Sequence, residues 1–293
     1  MCDEFTSASD DANLARRGLN RREFAALSAS AALAGCAAST GGGKAAGSDG
    51  LIEQTVSVPT ADGLADAFFV HPAKGSYPAI IMWPDVAGLR ESKKAMARLL
   101  AEEGYAVLVV NQYYRGAVAP ILGSFAEWRT SEGKAKIASL REQITVEGIS
   151  RDARALVDFL DEQGAVDSSR GIGSNGYCMG GSFTVRTAAA VPDRVGAAAS
   201  FHGGRLVSDA PDSPHGLIGK TQASFLFAIA QNDDGRDPDA KVGLRDAADA
   251  AGRPAEIEVY AADHGWCVPD SPAWNEEEAD KAWQRMLALF KEL

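Results

Sequence analysis

The chain is poor in cysteine, in histidine and in clustered positive charge, and each shortage removes a class of protein. Its four cysteines, Cys2, Cys36, Cys178 and Cys267, are too few and too scattered for a disulfide scaffold or a Cys-x-x-Cys zinc site. The net charge is −11 and no stripe of Lys and Arg interrupts it. Such a surface repels phosphate, so nucleic acid is excluded as a partner. No apolar run reaches the roughly 18 residues that a membrane-spanning helix needs. With only four histidines, one that falls at a strand end beside other reactive groups is informative.

The first fifty residues read as an address. Arg21-Arg22-Glu23-Phe24 precedes a short apolar run rich in Ala and Ser, which ends in Leu33-Ala34-Gly35-Cys36. A basic region, a short apolar stretch and a small-residue cleavage site describe an export signal, expected over 1–35. The Arg-Arg-x-Phe arrangement resembles the twin-arginine signal. Leu-Ala-Gly-Cys resembles a bacterial lipobox, which implies cleavage before Cys36 and lipidation of that cysteine. Residues 36–50 are rich in Ser, Gly and Ala and read as a flexible tether. The expected location is therefore outside the cytoplasm, with membrane contact only through the lipid. The alternative is an Ala-rich helix packed on the body of a cytoplasmic protein.

Residues 51–293 read as one domain in which strands and helices alternate. Strands are expected at 53–58, 66–70, 79–83, 105–110, 170–177, 195–201, 224–230 and 256–260. Helices are expected at 92–103, 135–147, 150–163, 180–190, 240–251 and 274–293, with Ser150 a candidate cap. Repeated β-α-β units imply an α/β fold, a mostly parallel sheet wrapped on both faces by helices. Residues 117–133 are the least regular and are expected to form a loop over the site.

The chemistry concentrates at Gly176-Tyr177-Cys178-Met179-Gly180-Gly181. This Gly-x-Cys-x-Gly-Gly follows a predicted strand and opens a predicted helix, the context of a nucleophile elbow. Side chains at 176 or 180 would clash across so tight a turn. The helix start turns its positive end toward the sulfur, and the Met179 N–H toward a developing oxyanion. The turn alone fits a buried structural cysteine equally well; its partners weigh against that. Asp233 follows the strand 224–230, and His264 follows the strand 256–260. A triad in this fold runs nucleophile, acid, histidine along the chain, and both residues sit at carboxyl ends of strands, where ligands bind. Asp234 competes with Asp233 for the acid. His202, also at a strand end, reads as a pocket-lining or a structural residue.

Taken together, these residues resemble the dienelactone hydrolase family from about Val58 to Leu293. The resemblance rests on Pro84-Asp85-Val86-Ala87-Gly88, Tyr113-Tyr114-Arg115, the cysteine turn, Asp233 and His264-Gly265. It implies the α/β-hydrolase fold and hydrolysis of a carboxylic ester or lactone by Cys178, His264 and Asp233. It also implies that Asp85, where the family usually has Glu, contacts the resting thiol. Val86 N–H would complete an oxyanion hole with Met179, and Arg115 would hold a substrate carboxylate. A second carboxylate-binding arginine is expected four residues after the histidine, where this chain has Val268, so half of that anion clamp is missing. No metal or organic cofactor is expected, the partner is a small-molecule ester or lactone, and a monomer is expected. Two alternatives share the residues: a thioesterase or acyl transferase, and a binding protein without turnover. Cys267, three residues after His264, leaves open a disulfide with Cys178.

Overall fold

A computed structural model of the protein describes residues 4–16 and 50–293. The twin-arginine and lipobox motifs, Cys36 and nearly all of the tether lie outside the described residues. Eight strands form one sheet: β1 (Leu51–Thr60), β2 (Gly63–Pro72), β3 (Ala79–Trp83), β4 (Ala106–Val110), β5 (Ile172–Tyr177), β6 (Val195–Phe201), β7 (Ser224–Ala230) and β8 (Ala255–Tyr260). Their order is β1-β2-β4-β3-β5-β6-β7-β8. β1 pairs with β2, and β2 with β4, antiparallel; every later pairing is parallel. A hairpin thus opens the sheet, and crossover helices build the rest of it.

The helices are α1 (Glu4–Arg16), α2 (Glu91–Glu102), α3 (Phe125–Trp128), α4 (Ser131–Arg141), α5 (Val146–Asp161), α6 (Met179–Ala190), α7 (Gln231–Arg236), α8 (Ala240–Ala251) and α9 (Glu276–Phe290). The strand Ala79-Ile80-Ile81-Met82-Trp83 shows why its sequence is apolar throughout. Ile80 and Met82 pack with Met96 of α2 and Met286 of α9. Ile81 and Trp83 face the other way, toward Leu156 of α5 and Val185 of α6. Both faces of a central parallel strand are covered, so alternation has no polar side to produce.

One helix boundary differs from the sequence expectation. The break falls between Arg141 and Val146, not near Ser150. Thr145 caps α5 by accepting the Gly148 N–H at 3.0 Å, while the Ser150 hydroxyl bonds back to the Val146 carbonyl inside the helix. Gly148 lies in the first turn of α5. The irregular stretch 117–133 contains α3 and the start of α4. Leu122, Phe125 and Trp128 pack with Val86 and Tyr113 in a small third core at the carboxyl end of the sheet.

Candidate active site

β5 ends at Tyr177 and α6 starts at Met179, so Cys178 makes the turn by itself. Its φ of 56° and ψ of −118° are a strained conformation for a residue with a Cβ. The neighbours make it possible. A Cβ at 176 would lie 2.1 Å from the Gly180 carbonyl oxygen, and one at 180 would lie 2.5 Å from the Trp83 carbonyl oxygen. The elbow therefore closes on itself and on the end of β3. Tyr113 ties the two halves, with its hydroxyl 2.9 Å from the Val86 carbonyl oxygen and 3.3 Å from Met179 Sδ.

The loops after β7 and β8 bring in the other predicted residues. His264 Nδ1 lies 2.7 Å from Asp233 Oδ2, and Asn232 Oδ1 accepts the His264 N–H at 2.9 Å. Adjacent carboxylates on α7 point apart: Asp234 is taken by Lys241 at 2.7 Å. The structure thus brings Asp233, and not Asp234, to the imidazole. Cys178 is 2% and His264 3% exposed. Burial opposes charge on His264, but Asp233 and Cys178 outweigh it, holding its pKa at about 10. Burial likewise works against the Asp233 carboxylate, and the His264 charge and hydrogen bond more than offset it, drawing its pKa down.

Asp85 has an occupation that the sequence did not suggest. It is buried, with Oδ1 2.8 Å from Arg90 Nη1 and Oδ2 3.0 Å from Lys93 Nζ, and it caps the Ala87 N–H at 2.9 Å. Arg90 forks onward to Asp270 at 2.7 and 2.8 Å, and Asp270 accepts the Phe125 N–H at 2.9 Å. Burial would raise the Asp85 pKa, yet Arg90 and Lys93 keep it at about 2. Where the resemblance implies contact with the thiol, the carboxylate is committed to two cations. The cluster joins the Asp85-Val86 loop, the segment after His264 and α3.

Arg115 is likewise committed. Its guanidinium meets Asp152 at 2.8 and 2.9 Å and Asp62 at 2.6 Å, joining the β1–β2 turn to α5. The expected substrate carboxylate is replaced there by two of the chain's own. Val268 is buried in the core. Cys178 and Cys267 are not joined in a disulfide, and burial pushes the Cys267 pKa to about 12. Among the described residues, no three His, Cys, Asp or Glu side chains converge to hold a metal ion. A cavity of about 270 Å³ runs beside the elbow, lined by Met179, Ser182, Phe183 and Arg186 of α6 with Ile149 and Gly204.

Sequence reasoning missed the cover. α1 lies across the loops that carry Asp233 and His264. Asn13 donates to Asp263 at 3.1 Å, and Asn232 donates to Ser9 at 3.2 Å. Arg129 pairs with Asp11 and stands 3.7 Å from Asp10. Asp10 is buried among these groups, with Thr6 and Leu14. Burial lifts its pKa to about 7 against the pull of Arg129 and His264. No local signal could have found this docking, because every partner is more than a hundred residues away.

The sheet order, the strained turn after β5 and the carboxylate–imidazole pair after β7 and β8 place the chain among the α/β-hydrolases. Residues 65–293 match the dienelactone hydrolase family, and the chain belongs to it. It is 28% identical over 250 residues to "Putative carboxymethylenebutenolidase" of Methylorubrum extorquens, covering 83% of this chain and 82% of that one. An Escherichia coli protein of the same description is 26% identical over 251 residues, covering 83% and 88%. The crystal structure of "Putative Dienelactone Hydrolase" from Klebsiella pneumoniae superposes with a TM-score of 0.72 at 25% identity, over 84% of this chain and 100% of that one.

Proposed function

We propose that the protein hydrolyses carboxylic esters or lactones with Cys178 as nucleophile, His264 as acid and base, and Asp233 as the residue that orients His264. The observation that carries this reading is the 2.7 Å bond from His264 Nδ1 to Asp233 on the loops facing the strained Cys178 turn. The thiolate attacks the carbonyl carbon, and the oxyanion forms against the N–H groups of Val86 and Met179. The intermediate collapses, the C–O bond breaks, and the leaving alkoxide takes the proton from His264. Water then adds to the thioester while His264 accepts its proton, and the acid product leaves as the thiol is restored. Asp233 keeps the ring in the tautomer whose Nε2 serves the reaction.

The test is a panel of aryl esters and lactones with the purified protein and Cys178→Ala. Turnover by the wild type and its loss in the variant are expected; undiminished turnover by Cys178→Ala sinks the assignment. We also propose that residues 1–35 direct export and that Cys36 carries lipid, on the strength of the Arg21-Arg22-Glu23-Phe24 and Leu33-Ala34-Gly35-Cys36 motifs. Metabolic labelling with a radioactive fatty acid, comparing wild type with Cys36→Ser, checks this. Absence of label on the wild type rejects the lipid.

A further inference from the structure

β5 and β6 are neighbours in register, with Tyr177 opposite Phe201. The first residue past each strand is therefore also a neighbour: Cys178 on one, His202 on the other. Both leave their strands with positive φ, 56° and 40°. A residue with a Cβ holds such a conformation only when its surroundings force it. At His202 they do. Its N–H is held by the Ala228 carbonyl at 2.8 Å. Ahead of it, Gly203 leaves room that a Cβ would fill, 2.2 Å from Ser200 Oγ.

The imidazole is 2% exposed, and its Nδ1 accepts the Cys178 N–H at 3.1 Å. That N–H also lies 3.0 Å from the Phe201 carbonyl oxygen. The Cys178 carbonyl in turn accepts the Gly204 N–H at 3.3 Å. Both backbone polar groups of the nucleophile are thus held by residues 201–204. Accepting at Nδ1 leaves the proton on Nε2, and Nε2 has no partner among the described residues. The ring also packs on His264, with centroids 4.5 Å apart, and on Trp266 at 5.3 Å. Burial, and then the nearby His264 charge, press its pKa down to about 4, so it stays neutral. A strained backbone and an unpartnered buried donor are a poor choice if the position only needs filling. An apolar ring would fill it without either.

We infer that His202 is a positioning residue for the nucleophile, its Nδ1 fixing the Cys178 amide and its ring fixing the face of His264. It acts by positioning these two residues. Pinning the Cys178 amide sets the direction of Sγ and of the Met179 N–H that follows. The ring wall keeps His264 from turning away while adding no second positive charge beside it. This rests on the reading of Cys178 and His264 given above.

The experiment compares His202→Asn, His202→Gly and His202→Phe. Asn tolerates positive φ and keeps an acceptor near the place of Nδ1; Gly suits the φ but has no acceptor; Phe keeps only the bulk. The readouts are the pH profile of iodoacetamide alkylation of Cys178, kcat and KM on an aryl ester, and the thermal midpoint. For a displaced nucleophile, we expect His202→Gly to lose about tenfold or more in kcat with little change in KM. Its alkylation profile shifts as well, and Asn recovers most of both losses. A Gly variant with the wild-type alkylation profile and kcat overturns the inference, as does an Asn variant that fails as badly as Gly. If Gly and Phe do not fold, His202→Gln, whose acceptor is displaced by one methylene, takes their place against Asn under the same criteria. Should the wild type hydrolyse no ester, the reading of the activity fails. The alkylation profiles then still decide for or against His202.

Discussion

At the scale of the residue, His264 shows how a buried imidazole keeps its proton. Desolvation alone would strip the charge, but Asp233 and Cys178 hold its pKa at about 10. The native state therefore binds this proton more tightly than the unfolded chain does. That contribution to stability is complete below the unfolded histidine value of about 6.5. It is lost as pH rises through about 10. Asp233 is the strongest of the groups that raise the value, so in Asp233→Asn the proton should leave at distinctly lower pH, read from the His264 Cε1–H resonance. kcat should fall with it, on the order of a hundredfold. A resonance that still titrates near 10 would show that another group holds the imidazole. The carboxylate beside His264 was legible in the sequence down to a choice of two, because the end of β7 and the chain order narrow it to Asp233 or Asp234. The choice itself depends on Lys241, which claims Asp234 from the next helix.

At the scale of the element, the ions around Asp85 act as a clamp between loops. Arg90 and Lys93 come from the start of α2, and Asp270 from the loop that carries His264. Asp85→Asn leaves the two cations buried with too little negative charge, a change that costs about 3–5 kcal/mol. A lowered thermal midpoint should report it, and an unchanged one would show that the clamp bears no strain. The cysteine turn was readable because much of its requirement is local: Gly176 is forced by the Gly180 carbonyl four residues on, while Gly180 answers to the end of β3. The strands were readable for the same kind of reason, since Ala79-Ile80-Ile81-Met82-Trp83 can only be a strand covered on both faces. The clamp was not, because nothing near Asp85 in the chain reveals Asp270, and the commitment of Arg115 to Asp62 and Asp152 was hidden the same way. The boundary before α5 was misplaced because Ser150 is as good a capping residue in the sequence as Thr145, and only the fold shows that Thr145 accepts the Gly148 N–H.

At the scale of the whole molecule, α1 and the α/β body meet over Asp233 and His264. The raised pKa of Asp10 sets the pH range of that contact. Its contribution is full below the unfolded carboxylate value of about 3.9. It is lost as pH rises through about 7. Hydrogen exchange in α1, corrected for its intrinsic pH dependence, should therefore speed up above that pH, and Asp10→Asn should flatten the response. Deleting residues 1–16 should raise the alkylation rate of Cys178; an unaltered rate would mean that α1 shields nothing.

The position of α1 in the chain has its own consequence. The helix lies on the amino-terminal side of Cys36, so processing of the kind proposed above would remove it together with the address. On that proposal the chain before the cut would be a latent precursor, its thiol sheltered from whatever esters the cytoplasm contains. After the cut, the same polypeptide would be unmasked only where it has been delivered, and one proteolytic event would set both the place and the onset of its chemistry.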